Sequence, residues 1–73
     1  MPRLPPVSGQ DLVRALKRLG FHEISQRGSH VKLRNGDTLC IVPLHRDLKK
    51  GTMAGILRQA KLSSEDVLKA LMQ

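Results

Sequence analysis

The first regular pattern along the chain is helical. Apolar residues recur every three or four positions: Leu12, Val13, Leu16 and Leu19. The opposite side is basic: Arg14, Lys17 and Arg18. Ser8 and Asp11 have the spacing of a capping box, and Gly20 can adopt the left-handed conformation that closes a helix, with Phe21 as the apolar contact beyond it. The pattern predicts a helix over residues 9–19, whose basic side fits a solubilising role and phosphate contact equally well.

Alternation replaces helical spacing after this helix. Residues 22–27 contain one clearly apolar residue, Ile24, and predict a short strand. Two alternating segments then flank Asn35-Gly36, a dipeptide typical of hairpin turns. A two-residue Asn35-Gly36 loop would split the larger apolar side chains between faces, so we expect a three-residue loop. That loop places four residues on the face that packs on helices: Val31, Leu33, Leu39 and Ile41. It leaves three on the open face: His30, Lys32 and Arg34.

The second half of the chain predicts two more helices. Pro43 ends the third strand, and residues 44–51 form a polar connection. Thr52 is the expected cap of a helix with the apolar stripe Met53, Ile56, Leu57 and Ala60. Ser63 and Asp66 form a second capping box before a segment with the apolar residues Val67, Leu68, Leu71 and Met72. The order α-β-β-β-α, with a short extra C-terminal helix, predicts an α+β fold in which helices cover one face of a three-stranded antiparallel sheet. We expect a single domain over residues 1–73.

Charge and composition narrow the function. The 73 residues carry 13 Lys and Arg against 6 Asp and Glu, a formal net charge of +7. A small basic domain of this kind has nucleic acid as an evident polyanionic partner. There is one Phe and neither Tyr nor Trp, so the sheet lacks the aromatic platform on which RNA-recognition motifs stack bases. Recognition is therefore expected to use the backbone, shape and 2′-hydroxyls, as in double-stranded-RNA-binding domains.

Other classes of protein are disfavoured. No apolar run approaches the roughly 20 residues of a membrane span. Residues 1–6, Met-Pro-Arg-Leu-Pro-Pro, lack the apolar core of a secretory signal and are interpreted as a stiff lead-in to a cytoplasmic protein. The single cysteine, Cys40, excludes an internal disulfide and is expected to be a buried apolar residue. The three histidines lack close ligand spacing, so no metal and no cofactor are predicted.

The segment Arg27-Gly28-Ser29-His30 is the strongest candidate for chemistry. Gly28 allows close backbone approach, exposed amides and Ser29 can hold a phosphate oxygen, and Arg27 can pair with it. An imidazole exchanges protons near neutral pH, so His30 can take or deliver the proton of a ribose or leaving oxygen. His45 is the candidate second acid or base. The expected phosphate-binding residues around them are Lys32, Arg34, Arg46, Lys49 and Lys50. Taken alone, a histidine in either position is more often an ordinary surface residue.

Several segments together resemble one known family, the HicA toxins of bacterial and archaeal toxin–antitoxin systems. They are Ser8-Gly-Gln-Asp-Leu12, Gly20-Phe21, Gln26-Arg-Gly-Ser-His30, Val42-Pro-Leu-His45, Leu48-Lys-Lys-Gly-Thr52 and Gly55-Ile-Leu-Arg-Gln-Ala60. The resemblance implies a fold like that of double-stranded-RNA-binding domains and ribosome-independent cleavage of mRNA with His30 as the catalytic residue. It also implies a HicB antitoxin that covers or displaces the active site. Lys61 departs from the family, where Gly is frequent, and is expected to cost stability.

Three functions follow in order of preference. The first is a metal-independent endoribonuclease using His30. The second is a non-enzymatic module that binds double-stranded RNA or the RNA backbone through the same basic face. The third is a protein-interaction subunit whose charge serves an acidic partner.

Overall fold

A computed structural model describes residues 6–73. Its elements are α1 (Gly9–Arg18), β1 (His22–Arg27), β2 (His30–Asn35), β3 (Thr38–Pro43), α2 (Lys50–Ala60) and α3 (Ser64–Leu71). The strands form one antiparallel sheet in the order β1-β2-β3. The predicted α+β class and element order are confirmed. Residues 1–5, which make up most of the proposed N-terminal lead-in, lie outside the described residues.

Both ends of α1 follow the sequence signals. The Ser8 hydroxyl accepts a hydrogen bond from the Asp11 amide at 3.0 Å. At the other end Gly20 has a φ of 102°. The Gly20 amide donates to the Lys17 carbonyl and the Phe21 amide to the Leu16 carbonyl, the two bonds of a Schellman cap. Phe21 is buried, so the cap also anchors the start of β1 in the core.

The prediction that Thr52 caps the second helix was wrong. That helix, α2, begins at Lys50, its N-cap is Lys49, and no side chain of residues 6–73 caps its first amides. The preceding connection is therefore residues 44–49. Thr52 lies inside the first turn because Lys49 already has the extended conformation of an N-cap residue. At the other end Lys61 closes α2 in the left-handed conformation, with a φ of 58°.

The predicted hairpin register was also wrong. The β2–β3 loop contains two residues, Gly36 and Asp37, between the paired Asn35 and Thr38. Gly36 has a φ of 61° and Asp37 does not have a positive φ, which matches the glycine-first type II′ turn. The loop thus lies one residue further along the chain than the Asn35-Gly36 alternative. The faces of β3 consequently exchange relative to the prediction.

The core face of β2 and β3 contains Val31, Leu33, Cys40 and Val42, all buried. Leu39 and Ile41 instead lie on the open face, each 45 % exposed. The open face is therefore not purely basic: Ile41 pairs with Lys32, and Leu39 pairs with Arg34.

The helices enclose the core against this sheet. Buried residues of α1 and α2 include Leu12, Leu16, Met53, Ile56 and Leu57. From α3, Val67 and Ala70 join them. The apolar spacing of the last segment predicts Met72 as a further core residue, and this was wrong, because Met72 is 79 % exposed. Met72 follows the last residue of α3 and acts as its C-cap. Among residues 6–73, no helix is long and apolar enough to cross a membrane.

The position of α2 shapes the sheet edge. Its residues pack against β3, and the Gln59 Oε1 atom accepts a long hydrogen bond, 3.4 Å, from the Ile41 amide. Because that amide points outward from the edge strand, α2 covers the edge of β3. The other edge strand, β1, has a bulge between Glu23 and Ser25 in its pairing with β2.

Candidate active site

The turn between β1 and β2 brings His30 to the open sheet face. Arg27 and His30 are paired across the two strands, with Gly28 and Ser29 as the loop. Gly28 has a φ of 55°, and a Cβ there would meet no atom of the described residues within 4 Å. The glycine is therefore required by the turn itself and not by crowding. His30 is exposed and lies between Arg27 on one side and Pro43 on the other.

The chain brings His45 beside His30. The two imidazole centroids are 6.5 Å apart and the rings meet at 74°, edge toward face. Two backbone hydrogen bonds fix this arrangement: the Leu44 amide donates to the Ser29 carbonyl at 2.6 Å, and the Gly9 amide donates to the His45 carbonyl at 2.8 Å. Each histidine thus sits in a segment that is tied to a neighbouring element through its main chain.

Gly9 is essential to this arrangement. A Cβ at Gly9 would overlap the Pro43 carbonyl oxygen and lie 2.7 Å from the Leu44 Cα atom. Only glycine therefore lets the chain leaving β3 pass against the first turn of α1. A further hydrogen bond holds the connection of residues 44–49 in place: the Leu48 amide donates to the carbonyl of the buried Val7 at 2.9 Å. The sequence contains Gly9 in a helix-cap signal, but the close approach depends on tertiary packing.

The predicted phosphate-binding residues are only partly gathered around His30. Arg27 is its cross-strand partner, and Lys32 follows on the same face of β2. Arg34 lies four residues along the strand, about 13 Å away at the usual rise, and its Nε atom donates to the Gly36 carbonyl at 2.7 Å. The structure does not bring Arg34 to His30.

The remaining basic residues lie on the other side of the site. Arg46 follows His45 in the connection, Lys49 occupies the N-cap position of α2, and Lys50 is the first residue of that helix; all three are exposed. Their positions place positive charge along the chain from His45 to the first turn of α2. The amides of that turn add to it, since the N-terminus of a helix is its positive end.

The basic side of α1 has a structural explanation. Arg14 forms a salt bridge with Asp11 one turn earlier, and the Lys17 Nζ atom lies 3.9 Å from the Glu23 Oε1 atom. The Arg18 Nη1 atom donates to the Ala70 carbonyl at 2.7 Å, which joins α1 to the end of α3. These contacts favour a structural role for the α1 cations over phosphate contact.

An open groove of about 500 Å³ runs from His30 to α2. Its sheet side consists of His30, Ile41 and Pro43. The helix side consists of Gly51, Thr52, Gly55, Ile56, Arg58 and Gln59. Sequence reasoning missed this helix side because it depends on how α2 lies against β3. The spacing of Gly51 and Gly55, one helical turn apart, was the available signal.

The predicted burial of Cys40 is confirmed: its side chain is 1 % exposed, and burial raises the pKa of its thiol to about 11. Within residues 6–73, no group of three or more His, Cys, Asp or Glu side chains is arranged to hold a metal ion.

Comparison with known proteins adds one match. A family model described as the HicA toxin of bacterial toxin–antitoxin systems matches residues 9–62 of the 73-residue chain. The matched range begins at Gly9 and contains both histidines of the pair, the Gly28-Ser29 turn and the whole groove. No curated protein matches the chain significantly.

Proposed function

The chain belongs to the HicA toxin family and is thereby the toxin of a toxin–antitoxin pair; on that premise we propose that it is an endoribonuclease that cleaves mRNA without a metal ion. The observation that carries the proposal is the pairing of His30 and His45, whose ring centroids are 6.5 Å apart. Such a pair supplies both a proton acceptor and a proton donor at one place.

The proposed reaction is transfer of the phosphoryl group to the neighbouring ribose oxygen. His30 takes the proton of the 2′-hydroxyl as that oxygen attacks phosphorus, and the bond to the 5′-oxygen breaks. His45 gives a proton to this leaving oxygen. The products are a 2′,3′-cyclic phosphate and a 5′-hydroxyl, with no atoms gained or lost. Each imidazole has to reach one of two oxygens on opposite sides of phosphorus at about 2.6–3.2 Å, so a gap between the rings is needed, and the observed separation leaves one.

Positive groups flank the position where charge would develop. Arg27 lies directly across from His30, and Lys32 follows on the same face. A guanidinium can hold two phosphate oxygens at once, whereas Lys32 would act as a point charge. Gly28 and Ser29 shape the turn beside them. Arg46, Lys49 and Lys50 are proposed to hold the phosphates that flank the cleaved one.

The antitoxin of the pair is proposed to be an acidic HicB-like protein that covers this face in the cytoplasm. The chain's formal charge of +7 favours an acidic partner. A partner seated over His30 would exclude RNA from the same surface.

Cleavage of a single-stranded mRNA fragment in EDTA tests the proposal. We expect cyclic-phosphate products from the wild-type protein and a loss of about 10²–10⁴ in rate for His30→Ala, with His45→Ala also impaired. His22→Ala is the matched control, because His22 is an exposed histidine on β1 paired with the distant Arg34. Full activity in purified His30→Ala protein would refute the assignment. RNA binding without products from the wild-type protein would favour the non-enzymatic binding module.

A further inference from the structure

The groove beside His30 has a volume of about 500 Å³ and is open to solvent. Ile41, Pro43 and Ile56 give it apolar surface, and Ile41 is 45 % exposed there. His30 lines the same groove. A group bound in the groove would therefore belong to the molecule bound at the histidine pair or lie next to that molecule.

The helix wall of the groove is open at two glycines. Gly51 and Gly55 lie within α2 without a positive φ. A Cβ at Gly51 would meet no atom of the described residues within 4 Å, and one at Gly55 would meet only the Arg58 Nη2 atom, at 3.9 Å. Glycine weakens a helix relative to alanine. Neither the backbone conformation nor internal packing of residues 6–73 requires it at these two positions, and its effect is to keep the groove wide.

Polar side chains in the groove suit the edge and face of a nucleobase. The Arg58 guanidinium is planar, and such planes stack on unpaired bases in RNA complexes. Gln59 and Thr52 offer both donors and acceptors. Among residues 6–73, the amide group of Gln59 makes only the long contact to Ile41 through its oxygen, which leaves its NH₂ group available to a ligand. The site thus has an apolar floor, a stacking plane and hydrogen-bonding groups.

We propose that the groove between β3 and α2 binds one unpaired base of a single-stranded RNA, next to the phosphate that lies at His30. The inference rests on the proposed ribonuclease function and adds a specificity site to it. The hydrogen-bonding edge of a paired base is occupied by its partner, so a base recognised in this groove has to be single-stranded. Base discrimination would then come from α2, although the fold has no aromatic platform.

Filling the groove at Gly55 tests the proposal. The substrate is a single-stranded RNA oligonucleotide that the wild-type protein cuts at one mapped position, together with versions carrying an abasic ribose on either side of the cut. We expect the wild-type protein to cleave one abasic version about 10- to 100-fold more slowly than the intact RNA. The Gly55→Leu protein should cleave the intact RNA about as slowly as the wild-type protein cleaves the abasic RNA, and it should cleave both RNAs at the same rate.

Ala54→Leu is the matched control, because Ala54 is the exposed neighbour of Gly55 on α2 and does not line the groove. It should keep the wild-type preference for the intact RNA. A Gly55→Leu protein that retains this preference, or a wild-type protein indifferent to both abasic positions, would overturn the proposal.

A binding measurement separates this proposal from that of catalysis. In His30→Ala protein, the ¹³C-methyl signal of Ile41 should shift on titration with the intact oligonucleotide and not with the abasic one, and Gly55→Leu should abolish the shift. If the wild-type protein cleaves no RNA, the same titration uses versions of one single-stranded oligonucleotide that carry an abasic ribose at each position in turn. An Ile41 shift lost for one of these versions would leave the base site standing although the ribonuclease proposal is refuted. An Ile41 signal unmoved by RNA would refute the base site.

Discussion

Replacing Gly9 by alanine should disrupt the histidine pair through the backbone contact between α1 and the chain that leads to His45. The added Cβ would overlap the Pro43 carbonyl oxygen, so the chain from Pro43 to His45 has to move away from α1. The Gly9–His45 hydrogen bond, 2.8 Å long, is then lengthened or lost. His45 is carried along, because its own carbonyl is the acceptor.

The size of the effect follows from three contributions. Overpacking against a backbone atom costs about 1–3 kcal/mol, and the lost hydrogen bond costs about 0.5–1.5 kcal/mol. Alanine regains about 0.5–1 kcal/mol in a helix relative to glycine. The net loss of unfolding free energy is about 0.5–4 kcal/mol, which for a domain of this size lowers the Tm by roughly 2–30 °C. A displacement of His45 by about 1 Å should reduce cleavage about 100-fold.

Thermal unfolding followed by circular dichroism, and cleavage assayed well below the Tm, measure both effects. Gly51→Ala is the matched control for stability: it is the same substitution in the first turn of a helix, but into open space, so its Tm should equal or exceed that of the wild type. Ser8→Ala is the control for activity, since it removes the cap of α1 at a cost of about 1 kcal/mol without touching His45. A Gly9→Ala protein that melts at or above the wild-type temperature would refute the reasoning.

Three further predictions concern stability and reactivity. Lys61→Gly should raise the unfolding free energy by about 1 kcal/mol because it removes a lysine in the left-handed conformation. Urea denaturation measures this change, and a lower urea midpoint for the variant would contradict the prediction. Cys40 should resist iodoacetamide at pH 8 in the folded protein and react once unfolded, because burial raises its pKa to about 11; mass spectrometry would count the adducts. Hydrogen bonds from Ser8 and Ser63 hold the pKa values of Asp11 and Asp66 below the ordinary 3.8. The ionised carboxylates therefore stabilise the folded protein fully above pH 3.8, and this stabilisation is lost as the pH falls through the lowered pKa values. Asp66→Asn should reduce the resulting acid-induced drop in Tm, and an unchanged drop would count against this cause.

Local signals predicted the ends of the elements well. Ser8, Gly20 and Ser63 each act through residues within five positions in the chain, so their caps are independent of the rest of the fold. The strand over residues 22–27 was also confirmed. The start of α2 was missed because Lys49 serves as N-cap without the side-chain hydrogen bond that normally marks the position.

The hairpin register was missed for a different physical reason. Residues 39–42 are all apolar, Leu-Cys-Ile-Val, so hydrophobicity cannot tell which alternate pair faces the core. The turn decides it, and a shift of one residue exchanges the faces. That exchange is what puts Ile41 into the groove. The candidate site was therefore only half predictable: His30 and its turn are local, whereas the proximity of His45 and the helix wall arise from long-range packing.

The tie between Gly9 and His45 also has a kinetic consequence. This hydrogen bond joins residues 36 positions apart, so it forms only after a long loop has closed. The conformational entropy of that loop is lost before the contact can stabilise the fold. During synthesis the segment with His30 emerges before His45, and a nascent chain that has not reached residue 45 has one histidine of the pair and no groove wall. Assembly of the proposed site is thus delayed until most of the chain has left the ribosome.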